Sequence, residues 1–359
     1  MPLSIKSING DTCFLLTFTP PIAPRSSSPG LFPGSFTILV DPWLTGPTHI
    51  ISPGFSTTKQ SRQPCIKSLA ELEDELDLIL VSQDKPDHCN KATLKQLSPH
   101  TAATIVSTPV AAKKIRSWNH FDRRSISSLP SYDPTNSNSV YRISLHPPSP
   151  RGSPGEITIT ILAPKFDMSG LHNAIGITYR PPSTVLSQNH GSYINLPMTP
   201  PLTPMSPTFQ SSTLSPSPYN NREKTLSVLY SPHGAPYPLV KSWAQNHLVK
   251  EGALPLTALI HSFDVVENPW YLGGIITTGF PGGCEIARNL QAKAWIGAHD
   301  AEKEVSGLGV KLLQTKKFGL DDIKRHLDEN GIDVLDNKSR SRMDVVVLDV
   351  GEETQIPAM

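Results

Sequence analysis

The sequence has few cysteines, and none of them are paired by spacing. Cys13, Cys65, Cys89 and Cys284 are scattered over 359 residues, with no CxxC among them. They read as free thiols in a reducing compartment, so a cytoplasmic location is expected and a disulfide frame is not. No apolar run is long enough to span a bilayer. The N-terminus, MPLSIKSINGDTCFLLTF, has no basic start followed by an apolar stretch, so a signal peptide is not expected. A formal charge of +1 gives no electrostatic case for nucleic acid or an anionic membrane as the main partner. Gly-x-Ser-x-Gly is absent, which leaves a serine-hydrolase elbow unsupported. With no P-loop and no GxGxxG, nucleotide binding is unsupported as well. The partner left standing is a small molecule, and the sequence does not specify an oligomeric state.

Proline, by contrast, is abundant: 36 residues, about twice the usual share. Apolar content is only 37%. Both values fit a packed core diluted by Pro/Ser-rich insertions. Pro20–Gly34 and His146–Gly155 read as surface loops. Pro181–Asn221 contains MTPPLTPMSPTFQSSTLSPSP, which cannot bury enough apolar surface to offset chain entropy. The expected organisation is one domain in two halves, 1–180 and 223–359, split by a disordered insertion at 181–222.

Between these segments, strands alternate with short helices. Leu3–Ile8 and Cys13–Phe18 read as a hairpin over the Asn9-Gly10 turn. Phe36–Val40 is the next strand and runs into Asp41, Pro42 and Trp43. Gly46–Pro64 is loop-like. Ser68–Glu75 reads as a short helix capped by Ser68. The apolar run of Leu76 to Val81 predicts a buried strand. Asn90–Leu97 predicts a helix, Thr104–Ser107 a strand and Val110–Trp118 a helix. Val140–Leu145, Ile157–Leu162, Ala174–Tyr179 and Leu226–Tyr230 are further strands. Pro236–Lys250 reads as a helix, Leu256–His261 as a strand, Gly283–Leu290 as a helix, and Ala294–Ile296 as a strand. Leu320–Asn330 is amphipathic with Gly331 as its C-cap, and Met343–Asp349 is a last strand. This alternation argues for a layered α/β fold.

The chemistry gathers past the strand ends. Gln83, Asp84, Lys85, Pro86, Asp87, His88 and Cys89 follow the Leu76–Val81 run. Ionisable groups packed there are costly unless they have a use. Asp87 and His88 are an adjacent carboxylate and imidazole, a usable ligand pair for a zinc-like ion. His233 lies past LSVLY and His299 past AWI, as His88 lies past LDLILV. Residues at the ends of neighbouring strands converge in space, which is how α/β folds build sites. Cys89 reads as a small buried apolar residue. YLGG at 271–274 and FPGG at 280–283 read as turn glycines or as loops over the mouth of a site.

These residues resemble the metallo-β-lactamase superfamily, in the branch that includes ascorbate-phosphate lactonase-like and phospholipase-D-type metallohydrolases and related fungal proteins. In that family a strand ends in H-x-H-x-D-H. Asp87 and His88 match the final D-H, while Gln83 and Lys85 stand where the first two histidines would be. The middle histidine, expected near 163–166, is missing, and His172 lies six residues too far on. His233 matches the position of the bridging carboxylate, and His299 that of the last histidine. The strand ending in Asp41 is similar to the family's early strand, whose terminal Asp buttresses the metal loop; a plain Asp-Pro turn is the other reading.

The resemblance implies an αββα sandwich. It also implies that one metal position is lost, with Lys85 supplying its charge. The other position would be held by Asp87, His88, His233 and His299. Three imidazoles and a carboxylate suit one divalent ion, Zn2+ by expectation, with iron or manganese compatible. As an enzyme the chain would hydrolyse an ester, lactone, thioester or phosphodiester, with Lys85 stabilising the oxyanion and Asp84 or Asp87 orienting the water. The alternative is a non-catalytic relative that has lost its metal and binds a ligand or partner. His233 separates the two, because only a rebuilt metal site needs an imidazole at that position.

Overall fold

The computed structural model describes residues 3–20, 32–147, 152–183 without 166 and 168, the backbone of 185–186 and 193–194, 224–329 without 273, and 343–357. Apart from its first three residues and those two backbone pairs, the segment at 181–222 lies outside the described residues, as does Gly331.

Two seven-stranded sheets form the body. The first runs in the order Glu353–Ile356, Leu3–Ser7, Phe14–Phe18, Phe36–Val40, Leu78–Val81, Thr104–Ser107, Ile126–Ser128. Its first three pairings are antiparallel and its last three parallel. The second runs Asp344–Val346, Ala294–Gly297, Ala258–His261, Leu226–Ser231, Ala174–Arg180, Gly155–Leu162, Val140–Leu145. There the first three pairings are parallel and the rest antiparallel. Leu78–Val81 is buried along its whole length, which is why it reads as an unbroken apolar run rather than an alternation.

The inner faces of the two sheets share one core, with Phe14, Phe18, Ile38 and Leu80 from the first and Ile159, Ile177, Tyr230 and Ile296 from the second. Helices cover both outer faces. Pro109–Ser117, capped by Thr108, packs on the first sheet through Ala111, Ala112 and Ile115. Tyr237–Trp243 and Gly279–Leu290 pack on the second through Val240, Trp243, Phe280 and Ile286. The fold is therefore the αββα sandwich of the metallo-β-lactamase type.

Several elements differ from the sequence reading. Ser68–Glu75 forms two 3-10 turns, held by a capping box between Ser68 and Glu71, instead of a helix. The helix from Tyr237 widens into a π turn at Ala244–Leu248, which brings His247 Nε2 within 2.8 Å of the buried Thr158 hydroxyl. FPGG is no loop over the mouth; it lies inside the Gly279–Leu290 helix. A Cβ on Gly283 would fall 2.1 Å from Trp295 Cζ2, so this glycine permits close helix–sheet packing. Thr48–Ile50 and Ser56–Gln60, in a stretch that reads as loop, are strands. They join Lys303–Ser306 in a small sheet, and Val265–Glu267, Ile275–Thr277 and Gln314–Lys316 form another. Short polar strands of this kind carry no alternation signal; long-range pairing makes them. These two sheets flank the cleft described next.

Candidate metal centre

Four strand ends meet at one edge of the sandwich. Phe36–Val40 delivers Asp41, Leu78–Val81 the loop to His88, Leu226–Ser231 His233, and Ala294–Gly297 His299. The loop after Val81 closes in a tight turn in which the His88 and Cys89 N–H groups donate to the Lys85 carbonyl. Asn90 then caps the next helix by accepting from Thr93 N–H, while its amide donates to the Pro86 carbonyl. Asp87 and His88 are therefore held from both sides. His299 sits at φ 68 and Asp41 at φ 44, in the left-handed region that costs a non-glycine residue about 1 kcal/mol or more.

Ligand-type atoms of Asp87, His88, His233 and His299 all lie within 4.8 Å of one another. His88 Nε2 is 3.0 Å from His233 Nε2 and 3.6 Å from Asp87 Oδ2. His299 Nε2 is 3.5 Å from that same oxygen. The donor directions of two rings are settled by their other nitrogens. His88 Nδ1–H donates to Asp41 Oδ2 at 2.7 Å, and His233 Nδ1–H donates to the Ile276 carbonyl at 3.2 Å. In their neutral forms, both Nε2 atoms therefore present lone pairs to each other. Two lone pairs at 3.0 Å repel unless a cation or a proton lies between them. Ligand atoms around a tetrahedral zinc with bonds near 2.05 Å stand about 3.3 Å apart, inside the observed spread. The donor set and its spacing fit one divalent ion.

Asp41 is the anchor behind this set. It is fully buried and also accepts from Ser82 N–H at 2.7 Å, the Ser82 hydroxyl at 2.6 Å and the Tyr230 hydroxyl at 2.7 Å. The open choice between turn and buttress is thus decided in favour of the buttress. The charges respond to one another. Burial pushes the Asp87 carboxyl up, but the neighbouring His88, His299 and His233 hold it well below the usual carboxylate range. Burial and the flanking His299 and His88 hold His233 well below the ordinary histidine value. His88 moves the other way. Burial pulls it down, but Asp87 and Asp41 outweigh that and raise it.

The remaining candidates lie at varying distances from the cluster. Lys85 lines the cleft beside Asp87, with its ammonium 3.7 Å from Asp84 Oδ1. Asp84 does not line the cleft, and its carbonyl accepts from Lys114. Gln83, at the first-histidine position, is buried with neither amide atom partnered. His172 is turned away; its ring nitrogens lie 3.1 and 3.2 Å from the carbonyl oxygens of Gly234 and Ile275. Among the described residues, the four named above form the only group suited to a metal ion.

Cys89 is buried beside the cluster, and burial pushes its thiol up to about 12. A thiol held neutral is a poor nucleophile and a poor ligand. Alkylation of the native chain with iodoacetamide at pH 8 should therefore modify the exposed Cys65 and spare Cys13 and Cys89 until denaturant is added. Peptide mass mapping reads this directly, and rapid labelling of native Cys89 would contradict the burial argument.

Three residues carry no sequence signal and yet shape the site. Asp300 accepts from the N–H groups of Phe263 and Asp264, fixing the neighbouring strand end. Asp11 accepts the His299 N–H at its carbonyl, and its carboxylate lies 2.8 Å from the Lys303 ammonium. The cleft above the cluster has a volume of about 540 Å³.

The fold has relatives among solved structures. The chain is similar to an isothiocyanate hydrolase from Delia radicum gut bacteria, at 13% identity and a TM-score of 0.50 over 98% of this chain and 99% of that one. It is also similar to a possible metal-dependent hydrolase from Veillonella parvula DSM 2008, at 13% identity and a TM-score of 0.49 over 99% of both chains. A third similar structure is the metallo-β-lactamase fold protein YhfI from Bacillus subtilis, at 11% identity and a TM-score of 0.44 over 98% of this chain and 99% of that one. No family model matches the sequence, and no curated protein does. At such identities the likeness concerns the fold alone.

Proposed function

We propose that the chain is a single-metal hydrolase acting on an ester, lactone, thioester or phosphodiester. The observation that carries this reading is the pair of His88 and His233 Nε2 atoms, 3.0 Å apart with both Nδ1 atoms committed as donors, beside Asp87 and His299 at the floor of a cleft. A bound divalent ion, zinc first by donor type, would supply Lewis acidity and lower the pKa of water. The protein's own groups do the rest. Asp41 fixes the His88 tautomer, and the Ile276 carbonyl fixes that of His233. Asp87, the carboxylate of the set, would orient the attacking water. Lys85 brings a cation to the cleft wall for charge developing on the substrate. The similar isothiocyanate hydrolase is a precedent for hydrolysis on this fold, by analogy only.

The test loads the purified full chain with Zn2+ and measures metal per chain and hydrolysis of a panel of p-nitrophenyl esters, a thioester and bis-p-nitrophenyl phosphate. About one ion per chain and metal-dependent turnover of at least one bond class are expected. One tight ion with no turnover on any class would move the reading to a binding protein.

A further inference from the structure

The cleft holds an ammonium group that the proposed mechanism does not use. Lys303 opens the strand Lys303–Ser306, and its pairing opposite Gln60 fixes where its backbone lies. Its side chain is 12% exposed, against 29% for Lys85. Taking an ammonium out of water is expensive, and a buried ion pair is a poor source of stability in return. Yet the fold builds a dedicated support for this one. Asp11 is 2% exposed, its N–H is tied to Asn9 Oδ1 at 2.9 Å, and its carbonyl accepts the His299 N–H at 3.0 Å. One residue thus anchors both the last histidine of the cluster and the Lys303 ammonium.

The contact between Lys303 and Asp11, at 2.8 Å, engages one of the three ammonium N–H groups and leaves two for a ligand. Lys303 lines the same cleft as Asp87, His233 and His299. The two small sheets give that cleft apolar walls, with Ile50 and Val305 from one and Val266 and Ile276 from the other. Lys303 is the least exposed of the three lysines lining the cleft, beside Lys85 and Lys317, and a cation held beside apolar walls suits an amphipathic ligand.

We propose that Lys303 is the anion-binding residue of the substrate site and that the cleft takes an acyl compound with an apolar body and an anionic group. Asp11 is the positioning residue that holds the ammonium in place. This rests on the hydrolase reading for the scissile bond, but the binding step stands apart from it.

The experiment is calorimetric titration of the full chain, metal-free and zinc-loaded, with octanoate and with 1-octanol. In the metal-free chain a carboxylate has no ion to bind, so its preference reports on the protein alone. Wild type should bind octanoate about tenfold or more tighter than 1-octanol, as a charge-assisted contact predicts. Lys303→Met should bring the two ligands within about twofold while leaving 1-octanol affinity unchanged, and Lys303→Arg should restore much of the preference. Unchanged 1-octanol binding also shows that the Met variant is folded. Equal binding of the two ligands by wild type, or an octanoate preference that survives Lys303→Met, overturns the proposal. Because the readout is binding, absence of ester turnover would sink the hydrolase reading without touching this one.

Discussion

His88→Ala should abolish the metal binding proposed above. His88 is the hub of the cluster, with Nε2 3.0 Å from His233 Nε2 and 3.6 Å from Asp87 Oδ2. Removing it leaves three donors and also deprives Asp41 of one of its four hydrogen-bonding contacts, that with His88 Nδ1 at 2.7 Å. Loss of a direct ligand should exceed the roughly 10–100-fold cost of losing an outer-shell partner, so affinity should fall by more than about 100-fold. His299→Ala should behave alike. Metal content per chain, measured by mass spectrometry after mild dialysis, reads both. His172→Ala and Gln83→Ala should leave it unchanged, since the His172 nitrogens face backbone carbonyls and Gln83 lies outside the donor set. Lys85→His alone should not create a second position, because the partners that position needs are still missing. Two ions per wild-type chain, or metal loss in His172→Ala, would mean that the donor set is wrongly drawn.

The sequence carried this cluster because each member lies within seven residues of the end of its strand. An apolar run followed by a histidine is a local pattern; parallel pairing within the second sheet and the packing of the two sheets on each other do the rest. The support behind the cluster is of another kind. Asp11 and Lys303 lie 292 positions apart in the chain and meet only because one flanks a hairpin of the first sheet and the other opens a strand of a small sheet. Nothing local marks either as functional. Asp41 was legible as a candidate but not as a choice, since an Asp-Pro turn and a buttress read alike until Ser82, His88 and Tyr230 are seen to converge on it. FPGG misleads for a similar reason. Glycine signals both turns and close packing, and only Trp295 against Gly283 distinguishes them. The strands in 46–64 are polar and short, so their pairing partner decides them.

Asp41→Asn should cost metal affinity about 10–100-fold, the usual range for an outer-shell carboxylate. The substitution isolates charge and acceptor capacity. Asparagine tolerates φ 44 about as well as aspartate does, so the backbone is not newly strained. What changes is donor–acceptor balance. The carboxylate faces Ser82 N–H on Oδ1, and His88 Nδ1 with the Ser82 and Tyr230 hydroxyls on Oδ2. An amide has one acceptor oxygen and two donors. The Ser82 backbone N–H cannot turn round, so the amide oxygen should stay with it and the NH2 should face His88. The hydroxyls can rotate to accept. His88 can accept only by moving its proton from Nδ1 to Nε2, and that places N–H where the lone pair facing His233 is needed. The variant should therefore fold and show the other His88 tautomer in its imidazole 15N shifts. Competition with a chromophoric chelator should show the affinity loss. Tyr230→Phe removes one of several donors and should cost less than about tenfold by the same scale. If Asp41→Asn kept wild-type affinity with His88 still protonated on Nδ1, Asp41 would serve the loop's fold and not its chemistry.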